Sequence, residues 1–258
     1  MNNLAFRSLG SLVVAVTVII SSASANDAVP SAKELAKSLS TGIQDGSSLL
    51  RIKMETPSKT VLQLQVKSRR TNLTTEVVYQ ILWPKERQGE GFLLKKSGNG
   101  AASGTLLALP NNLKNLTASD IKNGIFGSDL SYADLVENFY GWADQAIIGT
   151  EEVNGVSCQI LESKPGGSQS PYSKVQSWID SKRMVPLRVD KYSGSGKLAR
   201  RIITTRVAKD DNGRQIPANF SVQAGDSGAA TVIEGSSSKH DVKFTDADFT
   251  PDAIGRLK

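Results

Sequence analysis

Histidine and cysteine are nearly absent from this 258-residue chain, and their scarcity excludes several classes of function. His240 is the single histidine, so a zinc site built from several imidazoles cannot form. A hydrolase of the Ser–His type would have to use that one ring. Cys158 is the single cysteine, so no disulfide can form within the chain. It lies between Val156 and Ile160 in an apolar alternation, which predicts a small core residue.

Motifs for serine, calcium or phosphate chemistry are also missing or misplaced. Gly225-Asp226-Ser227-Gly228 resembles the nucleophile segment of trypsin-like proteases, but those enzymes place histidine before the serine, whereas His240 follows it. The segment lies between two strand-like runs and therefore predicts a hairpin turn. Asp246, Asp248 and Asp252 lack the glycine and distal glutamate of a calcium loop, and we expect a solvated tail there. Since no phosphate-binding glycine loop occurs either, we expect no metal, no cofactor and no enzymatic activity.

Long apolar runs are absent outside the N-terminal segment. Arg7, the uncharged run from Leu9 to Ile20 and the small residues Ala23-Ser24-Ala25 have the three-part order of a secretory signal peptide. A membrane span needs about 20 apolar residues, so this run is short for an anchor. No cysteine follows the run to accept a lipid. We therefore predict a signal peptide over 1–25 and one soluble periplasmic domain over 26–258.

Charge of one sign is not concentrated anywhere in the chain. The formal net charge of +6 falls to +5 when Arg7 is removed with the signal peptide. Scattered basic pairs are typical of solvated faces; the alternative is weak attraction to anionic headgroups, at about 1 kcal/mol for each well-placed Lys or Arg. Without a basic and aromatic module, nucleic acid is not an expected partner. The pairs are Arg69-Arg70, Lys95-Lys96, Lys182-Arg183 and Arg200-Arg201.

Apolar residues alternate with polar ones along much of the chain, which predicts strands with one apolar and one wet face. Turn signals separate the later runs, and Asn154-Gly155 is the strongest because both residues tolerate the positive φ of a type I′ turn. Ser31-Ala32-Lys33-Glu34 predicts a capping box at the start of a helix. The apolar members of the first three runs are Leu50, Ile52, Met54, Leu62, Leu64, Val66, Val77, Tyr79 and Ile81.

These patterns predict a mainly β (α+β) fold, with a large antiparallel sheet and two or three short helices. A long sheet with one apolar face must curl and cover that face. Patterning alone leaves open a half-barrel, a closed barrel or a sandwich.

A second helix start occurs in the middle of the chain. Ser131 is placed to cap the first turn, and Asp134 three residues later completes a capping box. Leu130 before the cap and Leu135 inside the helix form the pair of a hydrophobic staple. We predict a helix over 131–140 whose apolar stripe covers a surface. The stripe consists of Tyr132, Leu135, Val136 and Phe139.

The same stretch resembles the signature of a known family. Phe126-Gly127-Ser128-Asp129, followed by Ser131-Tyr132 and Asp134-Leu135, is similar to the signature of the bacterial outer-membrane lipoprotein-sorting-like proteins, relatives of the LolA carriers. Weaker matches keep the order of the family on both sides, so the resemblance covers nearly all of the chain after residue 49. They lie at 83–84, 91–94, 106–110, 153–158, 172–180, 185–187 and 196–198.

The resemblance implies both a fold and a function. The implied fold is a curved antiparallel half-barrel with two or three short helices covering its open face, as in LolA- and LolB-like proteins. The implied function is a periplasmic carrier that shuttles a lipid, or the acyl chains of a lipoprotein, towards the outer membrane. The nine apolar residues of the first three runs are the candidate cavity, and the helix over 131–140 is expected to gate it. The motif and candidate cover comprise Phe126, Gly127, Ser128, Asp129, Ser131, Tyr132, Asp134, Leu135, Val136 and Phe139.

The expected partners are lipid or lipoprotein acyl chains and, transiently, membrane-embedded export or acceptor proteins, with the carrier itself a monomer. Two alternatives remain open at this point. One is a histidine-independent lipid hydrolase on the same scaffold, using Ser128 with Asp129. The other is a non-catalytic periplasmic module that binds another protein through a sheet edge.

Overall fold

The computed structural model describes residues 30–43, 46–71, 73–98, 100–110, 112–167 and 169–256. The predicted signal peptide and its cleavage site lie outside these residues. Within them, no helix combines the length and the apolar character needed to span a bilayer.

In the described residues, there are two α-helices, and the remaining regular structure is mainly a long series of strands. The helices are α1 (Ala32–Ile43) and α2 (Tyr132–Val136). The strands are β1 (Ser47–Glu55), β2 (Val61–Arg70), β3 (Thr74–Trp83), β4 (Gly91–Ser97), β5 (Ser103–Ala108), β6 (Asn112–Leu116), β7 (Asp144–Val153), β8 (Val156–Lys164), β9 (Tyr172–Asp180), β10 (Val185–Ser193), β11 (Leu198–Lys209), β12 (Gln215–Ala224) and β13 (Thr231–His240).

The strands form one 13-stranded antiparallel sheet in the described part of the chain. Within β1–β6 and within β7–β13, strands that are consecutive in sequence are neighbours in the sheet, so each set is a meander. The meanders join where β1 pairs with β13, which leaves β6 and β7 as the two edges. The sheet is open and curved, which confirms the expected half-barrel and rules out the closed barrel and the sandwich.

Two sequence signals for turns are confirmed. Asn154 and Gly155 connect β7 to β8 with φ values of 51° and 78°, as a type I′ turn requires. Residues 225–230 connect β12 to β13, and the exposed Ser227 hydroxyl donates to the carbonyl of Ala229 at 2.9 Å. The protease-like segment is therefore a hairpin turn.

The concave face of the sheet carries two core clusters, each covered by different elements. The first core cluster packs β1–β4 and the ends of β12 and β13 against α2 and the residues before it. The second core cluster packs β8–β10 against α1 and the 3-10 turn Phe139–Gly141. Fully buried members of the first are Met54, Leu62, Leu64, Ile81, Phe92, Leu94, Ile125 and Val222; those of the second are Leu35, Leu161, Val175 and Ile179.

The convex face is covered locally by the C-terminal segment, which corrects the expectation of a solvated tail. The side chains of Phe249 and Ile254 are fully buried against Val78 and Leu93, which point outward from β3 and β4. Asp248 completes a capping box at the start of the 3-10 helix Asp246–Phe249. One of the three acidic residues, Asp248, thus caps a turn that covers two outward-facing apolar side chains.

The second helix is shorter than predicted. Its capping box is confirmed, because the Asp134 carboxylate accepts from the Ser131 backbone N–H at 2.8 Å and the Ser131 hydroxyl accepts from the Asp134 N–H at 3.3 Å. The helix ends at Val136 because Glu137 adopts an extended conformation. The predicted stripe is therefore divided: Phe139 belongs to a separate 3-10 turn and packs in the second core cluster.

Candidate functional site

An apolar cavity of about 580 Å³ opens on the concave face, between β1–β3 on one side and β11–β13 on the other. Sites for small ligands usually measure about 300–1,000 Å³, so this main cavity has a suitable size. Its rim is polar, with Arg206, Lys209, Asp210 and Asp211. The apolar side chains in its wall are Leu50, Ile52, Val66, Tyr79, Ile216, Pro217, Ala218, Phe220 and Ile233. Such a wall suits an apolar chain whose end is polar.

The nine predicted cavity residues divide into two groups. Leu50, Ile52, Val66 and Tyr79 line the main cavity. The remaining five lie deeper, in the first core cluster, where each is at most 1 % exposed. They are filled core because α2 and the residues before it lie over them. These five are Met54, Leu62, Leu64, Val77 and Ile81.

Sequence reasoning missed the opposite wall of the main cavity. Ile216, Ala218 and Phe220 alternate along β12, and this period-two pattern was the available signal. The pattern did not show that β12 lies near β1, because only the pairing of β1 with β13 brings the two strands together.

Tyr79 connects the main cavity to the sequence motif through stacked aromatic rings. Its ring stacks on that of Phe92 with centroids 5.0 Å apart. Phe92 in turn contacts the rings of Tyr132 at 4.8 Å and Phe126 at 5.2 Å. Burial raises the pKa of Tyr79 to about 12, so its hydroxyl is neutral at physiological pH. Two motif residues, Phe126 and Tyr132, thus pack against the ring of Phe92, which in turn packs against Tyr79 in the cavity wall.

A second cavity of about 490 Å³ lies beside the main cavity, under the C-terminal end of α1. Its apolar wall comes from α1, the 3-10 turn after α2, the start of β10 and the start of β12. Arg183, Arg214 and His240 stand at its edge. The apolar residues are Leu39, Tyr140, Met184, Pro186, Ile216 and Pro217. Ile216 and Pro217 line both cavities, so they form a shared wall.

A network of ion pairs lies at the rim of both cavities. The Asp210 carboxylate accepts from the Nε of Arg214 at 3.0 Å and from its backbone N–H at 2.8 Å. The backbone N–H of His240 donates to Asp211 at 2.8 Å, and the His240 ring contacts the same carboxylate. Burial alone would raise the pKa of Asp210, but the hydrogen bonds from Arg214 outweigh it and lower that pKa. Asp211 also has a lowered pKa, because His240 donates to its carboxylate.

This network brings together groups that ligate metals in other proteins. Ligand atoms of Asp210, Asp211 and His240 lie within 4.8 Å of one another. Both carboxylates are already engaged, however, Asp210 by Arg214 and Asp211 by His240. The arrangement therefore acts as a clasp between the β11–β12 hairpin and the end of β13.

The motif helix is fastened to the sheet through a buried ion pair. The carboxylate of Asp134 lies 2.7 Å from the Nζ of Lys191 on β10, and the two side chains are 1 % and 2 % exposed. The same oxygen accepts from the hydroxyl of Tyr172 on β9 at 2.6 Å. Burial alone would raise the pKa of Asp134, but Lys191 and the hydrogen bonds from Ser131 and Tyr172 lower it below its usual value. Asp134 is thus both a helix cap and a tertiary anchor.

Three further anchors hold the segment around α2 to other strands. Glu137 pairs with Lys96 on β4 at 2.9 Å, with side chains 3 % and 7 % exposed. Arg70 on β2 donates to the carbonyl of Leu135 at 2.9 Å. On the other side, the backbone N–H of Thr231 on β13 donates to the Asp129 carboxylate at 3.0 Å.

These contacts favour a static role for the segment over 131–140, which was expected to gate the cavity. Anchors to five strands fix the segment in place, and none of the motif residues lines the main cavity. The segment covers the filled first core cluster, with Leu130 and Leu135 both buried in it. We call this segment a brace, because it links several strands of the sheet to one another.

The pair proposed for a histidine-independent hydrolase does not form. The Ser128 hydroxyl donates to the carbonyl of Leu130 at 3.3 Å. The Asp129 carboxylate accepts from the backbone N–H and the hydroxyl of Thr231, at 3.0 and 3.1 Å. Both side chains therefore have structural hydrogen-bonding roles in the loop before α2.

Comparison with solved structures identifies the fold. A DUF1329 family protein from Desulfovibrio piger is 21 % identical with a TM-score of 0.77, over 86 % of this chain and 97 % of the other. An outer-membrane lipoprotein-sorting protein domain from Vibrio parahaemolyticus is 20 % identical with a TM-score of 0.75, over 87 % and 98 %. A LolA superfamily protein from Nitrosomonas europaea is 19 % identical with a TM-score of 0.67, over 87 % and 100 %. At these identities the likeness concerns the fold alone.

Comparison of sequences adds a family match. No curated protein matches the chain significantly. A family model described as an uncharacterized protein matches residues 74–256, which is more than half of the sequence. This match covers the motif, its anchors on β10 and β13, and most of the sheet. The chain therefore belongs to the family that this model describes, and it has the fold of the lipoprotein-sorting-like and LolA superfamily structures.

Proposed function

We propose that this protein is a periplasmic carrier that binds acyl chains, of a lipid or of a lipoprotein, in its main cavity and delivers them towards the outer membrane. The observation that carries the proposal is the apolar cavity of about 580 Å³ on the concave face, with a polar rim. The name of the Vibrio parahaemolyticus relative, an outer-membrane lipoprotein-sorting protein, supports the same reading. The carrier works as a monomer and meets membrane-embedded export and acceptor proteins transiently.

The energetics of such a carrier need no catalytic group. Burying a methylene group gains about 0.8 kcal/mol relative to water. Relative to a bilayer, which is equally apolar, the gain is close to zero. Transfer from one membrane to the cavity and on to another is then nearly balanced, and the partner proteins determine its direction. The wall of Leu50, Ile52, Phe220 and Ile233 supplies the apolar environment that this requires.

Mass spectrometry of the purified protein after organic extraction tests this function. The carrier proposal predicts intact lipid or acylated peptide that co-purifies at a fixed ratio to protein. Fatty acid together with lysolipid would instead indicate a hydrolase. Extraction of no acyl compound, from protein purified from its native periplasm, would contradict the carrier and leave the protein-binding module.

A further inference from the structure

Four Asn–Gly pairs occur in the sequence, at 99–100, 123–124, 154–155 and 212–213. In such a pair, the glycine backbone nitrogen can attack the amide carbon of the asparagine side chain, because glycine has no side chain to hinder the approach. The reaction is favoured by a glycine N–H that bonds to nothing else and by an asparagine that can rotate. The sequence does not distinguish the four pairs, but their hydrogen bonds do.

In two pairs the glycine N–H is already engaged. The N–H of Gly100 donates to the carbonyl of Ser97 at 2.9 Å. The N–H of Gly213 donates to the carbonyl of Asp210 at 3.0 Å. Each of these hydrogen bonds must break before the glycine nitrogen can attack a side chain.

The pair at 123–124 is held by its surroundings. The N–H of Asn123 donates to the carbonyl of Asp120 at 2.9 Å, and the carbonyl of Asn123 accepts from the N–H of Tyr132 at 3.2 Å. The chain is tightly packed at the next residue, since a Cβ atom added to Gly124 would lie 1.9 Å from the carbonyl oxygen of Ser128. Rotation of Asn123 would therefore break contacts that hold the segment before α2.

Asn154 and Gly155 have neither restraint. They form the two-residue turn between β7 and β8, and both are exposed. Within the described residues, the Gly155 N–H has no hydrogen-bond acceptor, and a Cβ atom added to Gly155 would meet only the carboxylate of Glu152, at 4.0 Å. The pairing of β7 with β8 begins at Val153 and Val156, outside the turn. This pair therefore meets both conditions for the reaction.

We propose that Asn154 is a site of spontaneous deamidation and that its product loosens the β7–β8 hairpin. The Gly155 nitrogen forms a bond to the Cγ of Asn154, and the side-chain nitrogen leaves as ammonia with the proton of the Gly155 N–H. Water then opens the resulting succinimide at one of its carbonyl–nitrogen bonds, which gives aspartate or isoaspartate. The inference is independent of the proposed function.

Both products change the hairpin. Isoaspartate adds a backbone methylene to a turn whose type I′ geometry fits a loop of two residues. Either product adds a carboxylate close to Glu151 and Glu152 on β7, and like charges repel. Cys158 on β8 lies opposite Glu151, and it is only 1 % exposed. A loosened hairpin should make this thiol accessible.

Incubation in water enriched in the heavy oxygen isotope measures the reaction in the folded protein. The intact protein would be incubated at mildly alkaline pH and then digested in ordinary water at acidic pH, so that only products formed before digestion carry the isotope. Peptide mass spectrometry would compare the four asparagines. We expect Asn154 to react at least about fivefold faster than Asn212, because the Gly213 N–H must first lose its hydrogen bond. Absence of label at Asn154, or equal or faster labelling of Asn99, Asn123 or Asn212, would overturn the assignment.

The thiol of Cys158, the single cysteine, supplies a second readout. Its rate of reaction with a water-soluble disulfide reagent would be measured before and after the incubation, with thermal melts to confirm that the protein stays folded. We expect the incubation to raise this rate by at least about twofold in wild type. Asn154→Gly is the matched control, because Gly-Gly also suits a type I′ turn and cannot deamidate, so its rate should not change. An unchanged rate in modified wild type, or an equal rise in Asn154→Gly, would refute the loosening of the hairpin.

Discussion

At the scale of single residues, Asp134 has two structural roles. It caps α2 through Ser131 and pairs with the buried Lys191 across the concave face. The helix cap was readable from the spacing of Ser131 and Asp134. The tertiary partner was not, because Lys191 occupies one position in an otherwise ordinary alternation on β10, and a buried lysine has no sequence signature. A residue recognised as a helix cap proved to be the main link between the motif and the sheet.

Asp134→Asn should destabilise the protein by about 3–5 kcal/mol, because Lys191 would remain buried without its counter-ion. Urea denaturation followed by circular dichroism measures the change. Asp246→Asn is the matched control, since Asp246 also has a basic partner, Arg69, but is 96 % exposed. It should cost at most about 1 kcal/mol. Combining Asp134→Asn with Lys191→Met should recover part of the loss; equal stability of Asp134→Asn and wild type would refute the role of the pair.

The ion pair also predicts how stability depends on pH. The pKa of Asp134 is lower in the folded protein than its usual value of about 3.8. Its stabilising contribution is therefore fully present above about pH 5 and is lost as the pH falls through the folded-state pKa. Between pH 6 and pH 3, the free energy of unfolding should fall less in Asp134→Asn than in wild type. Asp180, Asp190 and Asp210 also have lowered pKa values, so the variant should still lose some stability. Equal losses in both proteins would exclude the contribution of Asp134.

At the scale of elements, the segment around α2 behaves as a brace. Leu135 is 8 % exposed and belongs to the first core cluster, and its carbonyl accepts from Arg70. The hydrophobic stripe correctly indicated an element that covers the concave face. It could not reveal that the helix would end at Val136, because Glu137 leaves the helical path to pair with Lys96 on β4.

Leu135→Asp and Leu135→Ala distinguish a brace from a gate. Truncation to alanine should cost about 2–5 kcal/mol, as for other buried leucines. The aspartate variant should cost more, because its charge would be buried or the segment would have to leave the sheet. Thermal melts and retention of a fluorescent fatty-acyl probe would be measured for both. Wild-type stability of Leu135→Asp combined with rapid loss of the probe would show that the segment swings out and that the brace account is wrong.

At the scale of the whole molecule, hairpin signals and alternation were sufficient to predict a large antiparallel sheet. The family motif selected the half-barrel among the possible closures. The sequence did not reveal that β1 pairs with β13, because no local signal encodes a contact between the two ends of the domain. That pairing brings Leu50 and Ile52 opposite Phe220 and Ile233, and it therefore creates the main cavity. Four residues of one wall were predictable from alternation; the opposite wall followed only from the topology.

The central claim is that acyl chains bind in the main cavity, and photo-crosslinking with a diazirine-bearing palmitate tests it most directly. The purified protein would be labelled, digested and sequenced by mass spectrometry. We predict saturable labelling of the wall residues on β1–β3 and β12, chiefly Ile52, Tyr79 and Phe220, which Ala218→Phe should suppress. Labelling confined to the buried cluster of Cys158, Trp178, Val185 and Leu187, which lies outside the main cavity, or unsaturable labelling spread over the surface, would contradict the claim.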